Sequence, residues 1–268
     1  MGADIKQLRT RIKSVSSTLH LTKAMGLVAS SKIRKATDAM NKGNQYADAL
    51  VETVTLLSSF DECQKTPYMA NRGSEKTCLV VIAGDRGLAG GYNANIFRLM
   101  QEFPTATVLP IGKRACERFG NGKLQLAETF SYKEAKAMAD EICQKFRDGS
   151  FDRFGIVATK YHSMMSQEAT VKWLLPLQKE EKQTSVNAIF EPDEETILNA
   201  TVPDYVAGIL MACIRESFAS EVTARRMAMD SAGKNARAMI DDLQLQYNRA
   251  RQSAITQEIT EIVAGAGS

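Results

Sequence analysis

The sequence predicts an α/β protein in which long N- and C-terminal helices form an antiparallel coiled coil, with a small α/β domain inserted between them. Three observations predict it: a heptad register running unbroken through the first sixty residues, a proline-free stretch of similar length at the other end, and a change of hydrophobic period in the middle. The 268 residues, 44% hydrophobic and 24% charged, are enough for one large domain or two smaller ones with a real core.

Alternating steps of three and four pick out Ile5, Leu8, Ile12, Val15, Leu19, Thr22, Gly26, Ala29, Ile33, Ala36, Met40, Gly43, Ala47, Leu50, Val54 and Leu57; thirteen of these sixteen positions are apolar. That pattern is a coiled-coil seam. No proline precedes Pro67, so residues 1–60 read as one helix, roughly 85 Å long at about 1.5 Å per residue. An amphipathic helix lying on a globular core is the plainer reading of a periodic segment, but it does not need this length. At the other end, Thr201-Val-Pro203-Asp204 offers a Thr cap and an early Pro, a good helix start. The second helix is therefore expected over 203–264. Its stripe, Ile209, Cys213, Ile240, Leu243, Tyr247, Ile255, Ile259 and Val263, is interrupted by small residues between Ala219 and Ala236, which allow close helix approach. Each helix hides its stripe most simply against the other.

Between them, over residues 75–192, Thr77–Ala83, Thr105–Pro110, Phe154–Tyr161 and Thr170–Leu177 read as strands, and Asn93–Phe103 and Tyr132–Arg147 as helices. The alternation implies a Rossmann-like α/β layer, with linkers at 61–76 and 178–187. Directly after the first strand stands GDRGLAGGYN, residues 84–93. A glycine-rich turn leaving a buried strand is where many α/β enzymes hold a phosphate. No Lys-Ser or Lys-Thr follows these glycines, so the stretch is not a P-loop, and the spacing of Gly84, Gly87, Gly90 and Gly91 fails the dinucleotide pattern. Asp85 and Arg86 offer an acid and a cation, but no nucleophile with a base, metal cluster or paired carboxylates accompanies them. A glycine turn with special backbone angles, shaped for a protein partner, is the better reading.

Composition narrows the classes further. The net charge of +3 is unevenly placed: nine Lys or Arg lie between Met1 and Lys42, against Asp4 and Asp38. A basic coiled coil that binds nucleic acid is one reading of that end, but no aromatics interleave the basic residues and the C-terminal helix carries as many acids as bases. Five cysteines, an odd number without a C-x-x-C pair, suggest neither a disulfide framework nor a zinc site and fit reduced, cytosolic thiols. The start, MGADIKQLRTRI, has no apolar signal core, and no run is expected to span a bilayer.

The two ends, IKQLRTRIKSVSSTLHLTKAMGLVASSKIRKA from Ile5 and SEVTARRMAMDSAGKNARAMIDDLQLQYNRARQSAITQEITEIVAGA from Ser220, together with GDRGLAGGYN, resemble the gamma subunit of F-type ATP synthase over essentially the whole chain. The resemblance implies a rotor shaft standing in a ring of alternating alpha and beta subunits, one copy per complex. Its α/β domain would sit below with the epsilon subunit on a membrane ring of c subunits. It implies no cofactor, no metal and no active site in this chain, since the catalytic sites belong to the beta subunits. The family's Thr-Lys-Ala-Met falls on Thr22–Met25, and its Arg-Gln pair near the tip on Arg251 and Gln252; Thr256, Gln257, Glu258 and Glu261 belong to the same block. Rotor-stator contacts are thus expected at Lys23, Met25, Asp85, Arg86, Gly87, Leu88, Arg225, Arg251, Gln252, Thr256 and Glu258. The chain departs from the family pattern at Ala89, where Cys is usual, and at Arg226, where Met is usual. It also lacks the two-cysteine segment by which the chloroplast version is redox switched. Without a transit peptide, the resemblance points to a bacterial protein, peripheral on the cytoplasmic face of the plasma membrane.

Overall fold

A computed structural model of the chain describes residues 2–73, 76–120, 126–179 and 190–266. In chain order the elements are α1 (Gly2–Ser58), β1 (Thr77–Ile82), α2 (Tyr92–Leu99), β2 (Thr107–Ile111), α3 (Lys113–Phe119), α4 (Tyr132–Arg147), β3 (Arg153–Tyr161), β4 (Gln167–Leu175) and α5 (Glu194–Ala266). The chain divides into two compact units, Met1–Ser30 with Arg225–Ser268, and Ser31–Ala224.

The first unit is an antiparallel helix pair from the start of α1 and the end of α5. Along it Leu8, Ile12, Val15 and Leu19 are half-buried and Thr22, Gly26 and Ala29 are buried, as the heptad register requires. Small residues let the backbones close: a Cβ on Gly26 would stand 3.6 Å from Met229 Cβ, and one on Gly233 3.6 Å from Thr22 Oγ1. Continued at this register, α1 runs out of residues opposite about residue 253 of α5. Beyond that point the stripe is uncovered, and Ile255, Ile259, Ile262 and Val263 are 47 to 70% exposed.

The second unit carries the sheet, in the order β2-β1-β3-β4. β1 pairs parallel with both β2 and β3, and β3 pairs antiparallel with β4. Pro110 lies within β2 but on an edge strand, where its missing N–H leaves no ladder bond unmade. The buried run Cys78–Ile82 fits a central strand covered on both faces. One face meets α2 and α3 through Leu79, Val81 and Ile96. The other meets α4 and the middle of α5 through Val80, Ile82, Ile142, Val206 and Leu210. In this unit too the long helices cross closely at glycine: a Cβ on Gly208 would stand 2.2 Å from Leu50 Cδ1. α4 matches the expected boundaries and begins with a capping box, Ser131 and Glu134 satisfying each other's backbone N–H groups.

Four differences from the sequence reading have physical causes. α5 begins at Glu194, upstream of the expected start, and Pro203 lies inside it. Asp193 is the true cap, accepting from the Thr196 amide at 2.8 Å and its hydroxyl at 2.9 Å. Leu198, Val202 and Val206 around the proline are fully buried, and that burial offsets the hydrogen bond the proline cannot make. Burial also explains why one window of α5 is long and apolar enough to cross a membrane, against the expectation that no run is; most of it is covered inside the protein. α3, only seven residues, is too short to leave a periodic signal. The first linker holds two short 3-10 turns, Glu62–Lys65 and Pro67–Met69, while the second lies outside the described residues from 180 onward.

Candidate functional site

The glycine loop leaves the C-terminal end of β1 at the point where the sheet's connections diverge toward β2 and β3. In open α/β sheets that crevice is where ligands bind. Here α5 fills it. β1 pairs with β3 only as far as Val157, so β3's next inward N–H groups need other acceptors. The Thr159 amide donates to Ser217 Oγ at 3.2 Å and the Tyr161 amide to Glu216 Oε1 at 3.0 Å. The Tyr92 hydroxyl, buried in α2, donates to the Ser217 carbonyl at 3.0 Å, and burial pushes its pKa up.

Glu221, one turn further along α5 and 2% exposed, stands where a phosphate would. Its Oε1 accepts from the Arg86 amide at 3.4 Å, and a Cβ on Gly84 would lie 2.8 Å from its Cδ. Gly84 is therefore glycine because a carboxylate of the same chain approaches its Cα. The Gly84 amide itself donates to Asn93 Oδ1 at 2.9 Å.

Asp85 organises the loop's other side. Its Oδ1 accepts from the Lys113 and Ala127 amides at 3.0 Å each and its Oδ2 from the Glu128 amide at 2.9 Å. It thereby supplies the N-terminus of α3 with the acceptor that Gly112 lacks. With its oxygens so engaged, Asp85 shapes the loop. Arg86 and Leu88 are the side chains it presents: Arg86 is exposed, with Nη2 3.7 Å from Glu128 Oε2, and Leu88 is 63% exposed. Leu88 has a φ of 62°, and Gly90, alone among the loop's four glycines, shares that left-handed region. A leucine there carries strain of about 1–2 kcal/mol, which the surrounding bonds must hold. Ala89 is buried against the β1–α2 layer, a place without access for a thiol.

The remaining expected contacts lie on the helix pair. Lys23 is exposed, Met25 half-buried beside the buried Gly26, and Arg225 buried. Arg226 lays its Nη1 3.0 Å from where a Gly26 Cβ would stand, so the glycine accommodates this extra cation. Arg251, Gln252, Thr256 and Glu258 are all exposed on the uncovered end of α5. From Arg225 to Arg251 the helix rises about 39 Å, so these residues make two patches. Sequence reasoning missed Glu221, although a lone carboxylate inside a run of small and apolar residues, Ala219 to Ala224, was a usable signal.

The fold and site define a class: a chain whose ends make a helical shaft and whose α/β layer has its ligand crevice occupied by its own carboxylate. The ATP synthase family model matches residues 4–268. The gamma chain of the Ruminococcus albus ATP synthase is 38% identical over 277 residues, covering 97% of this chain and 96% of that one. The sodium ion specific ATP synthase gamma chain of Acetobacterium woodii is 36% identical over 298 residues, covering 99% of each. Among solved structures, a chain of the Euglena gracilis mitochondrial ATP synthase rotor superposes with a TM-score of 0.71 at 20% identity, covering 95% of this chain and 100% of that one. A chain of the Tetrahymena thermophila central stalk and c-ring gives 0.64 at 22%, covering 79% and 99%. This chain belongs to the ATP synthase gamma-chain family.

Proposed function

We propose that the chain is the central rotor shaft of an F-type ATP synthase, a subunit without catalysis of its own. It couples ion-driven rotation of the membrane c-ring to conformational cycling of the beta subunits. The family match over nearly the whole chain carries this reading and favours it over the nucleic-acid one. The partners are the alpha and beta subunits, the epsilon subunit and the c-ring, and the assembly is peripheral on the cytoplasmic face of a bacterial membrane.

The geometry suits the task. A seam in which every one of the sixteen heptad positions is buried or half-buried makes α1 resist bending. The uncovered apolar end of α5 suits a smooth collar, and Arg251 and Gln252 beside it suit a contact made with one beta subunit at a time. An Arg presents a planar fork of donors to a carboxylate or to carbonyls, and Gln adds a donor and an acceptor. Thr256 and Glu258 extend that contact; Lys23, Met25 and Arg225 offer another on the helix pair, and the Asp85–Leu88 loop offers one in its own unit. Charge attraction to acidic segments of the beta subunits would tolerate several angles better than packing does.

The test is a reconstituted complex carrying Arg251→Ala with Gln252→Leu. It assembles by gel filtration yet loses most ATPase activity, consistent with about 2–5 kcal/mol for a buried charge left unpaired. Arg249→Ala, exposed next to the pair, retains activity. Equal activity of the two complexes refutes the assignment.

A further inference from the structure

Within the Ser31–Ala224 unit, a cavity of about 450 Å³ opens between α1, the Ala127–Phe130 segment and α5. It is separate from the filled crevice and uses none of the expected contact residues. Its walls divide by chemistry. Ala36, Phe130 and Ile214 are buried apolar groups, and Met211 and Phe218 pack beside them. Lys32, Lys35 and Arg215 stand at the rim.

Glu128 is the one acid among the described residues that line the cavity, and it is already matched: it pairs with Lys32 and lies 3.7 Å from Arg86. Lys35 and Arg215 make no ion pair among the described residues. They also border the adjoining groove, where Asp38 is flanked by Arg34 and Lys42. Arg215 passes close to α1, its Cδ 3.2 Å from where a Gly43 Cβ would stand. The volume falls within the range that holds small ligands, about 300–1,000 Å³.

An apolar wall ends here in two unmatched cations. It suits a ligand with one anionic end and an apolar body. We propose that this cavity binds a medium-chain alkyl carboxylate, its chain against Met211, Ile214 and Phe218 and its head group between Lys35 and Arg215. The assignment does not rest on the rotor reading.

Calorimetric titration of the full-length chain with decanoate, kept below its micellar concentration, tests it. Saturable one-site binding is expected, with decanol and decyltrimethylammonium each weaker by about tenfold or more, the worth of a charge-assisted hydrogen bond. Lys35→Gln with Arg215→Gln weakens decanoate by a similar factor without moving the unfolding midpoint. Ala39→Trp, which fills the cavity from the half-buried wall of α1, abolishes binding. If that variant does not fold, the charge variant decides alone. Decanol binding as tightly as decanoate, unchanged affinity in the double glutamine variant, or no saturable heat up to the solubility limit overturns the proposal.

Discussion

Gly84→Ala tests the central claim about the loop. An added Cβ would stand 2.8 Å from Glu221 Cδ, 2.9 Å from its Oε1 and 3.2 Å from Asn93 Oδ1. Carbon contacts are comfortable at about 3.5–4.0 Å, so the carboxylate must retreat by roughly 0.7 Å or more. Glu221 has little room, being 2% exposed. Overpacking of this kind costs about 1–3 kcal/mol, and weakening the bond from the Arg86 amide adds about 1 kcal/mol. The expected loss is therefore about 2–4 kcal/mol. Trp173, the only tryptophan, lies on β4 in the same unit, so its fluorescence during urea unfolding reports the relevant transition. Glu221→Ala removes the obstructing carboxylate, so the double variant should be about 1–3 kcal/mol more stable than the sum of the single losses. Glu221→Gln keeps the volume and should not rescue. Gly91→Ala, whose Cβ would meet nothing nearer than Asn95 at 3.8 Å, should lie within about 0.5 kcal/mol of wild type. Additive effects of Gly84→Ala and Glu221→Ala would refute the close-approach argument.

Gly112→Ala should be worse than Gly84→Ala, because φ is +92° and the Cβ would stand 1.9 Å from the Ala83 carbonyl oxygen; a urea midpoint within error of wild type contradicts this backbone contact. Calorimetry of the lone chain with ATP should show no micromolar binding, since Glu221 occupies the crevice; tight binding would displace that account. Burial pushes the thiols of Cys78, Cys143 and Cys213 up to about 12, leaving about a thousandfold less thiolate than an ordinary cysteine at neutral pH. Alkylation of the native chain followed by peptide mass spectrometry should mark the half-buried Cys116 first, and early labelling of Cys143 would count against the packing. Bonds from the Thr196 amide and hydroxyl hold the Asp193 carboxyl below its usual value. A carboxyl with a lowered folded pKa stabilises above its unfolded value and loses that stability as pH falls through the folded one. The urea midpoint should therefore drop as pH falls below about 4, and drop less in Asp193→Asn, whose neutral side chain still caps.

Much of the architecture was legible because it is periodic. The heptad register from Ile5 to Leu57 predicted which side of α1 is covered at every one of its positions, and the helical pattern over Tyr132–Arg147 matched α4, whose Ser131 capping box is seen only in the structure. The start of α5 was misread because Pro203 carries the same signal at a first turn as in a buried interior, and only tertiary burial tells them apart. In the loop, glycines pointed to unusual backbone angles, yet Leu88 adopts one of them and Gly84 is there for proximity. Neither distinction is local. Glu221 lies 135 residues from the amide it accepts from, and no spacing rule reaches that far. The expected contacts at Arg251 and Gln252 came from family resemblance, because an exposed Arg on a helix has no signature of its own.

The carboxylate in the crevice also has a meaning for the chain as a listener. A group tethered through its own backbone competes at an effective concentration of at least the millimolar order. A free anion must match that and also dislodge Ser217 and Glu216 from the end of β3. Swings in the cell's pool of phosphate esters therefore find no handle here. The crevice where open α/β sheets take up a small anion is closed to one here, by a group of the chain itself.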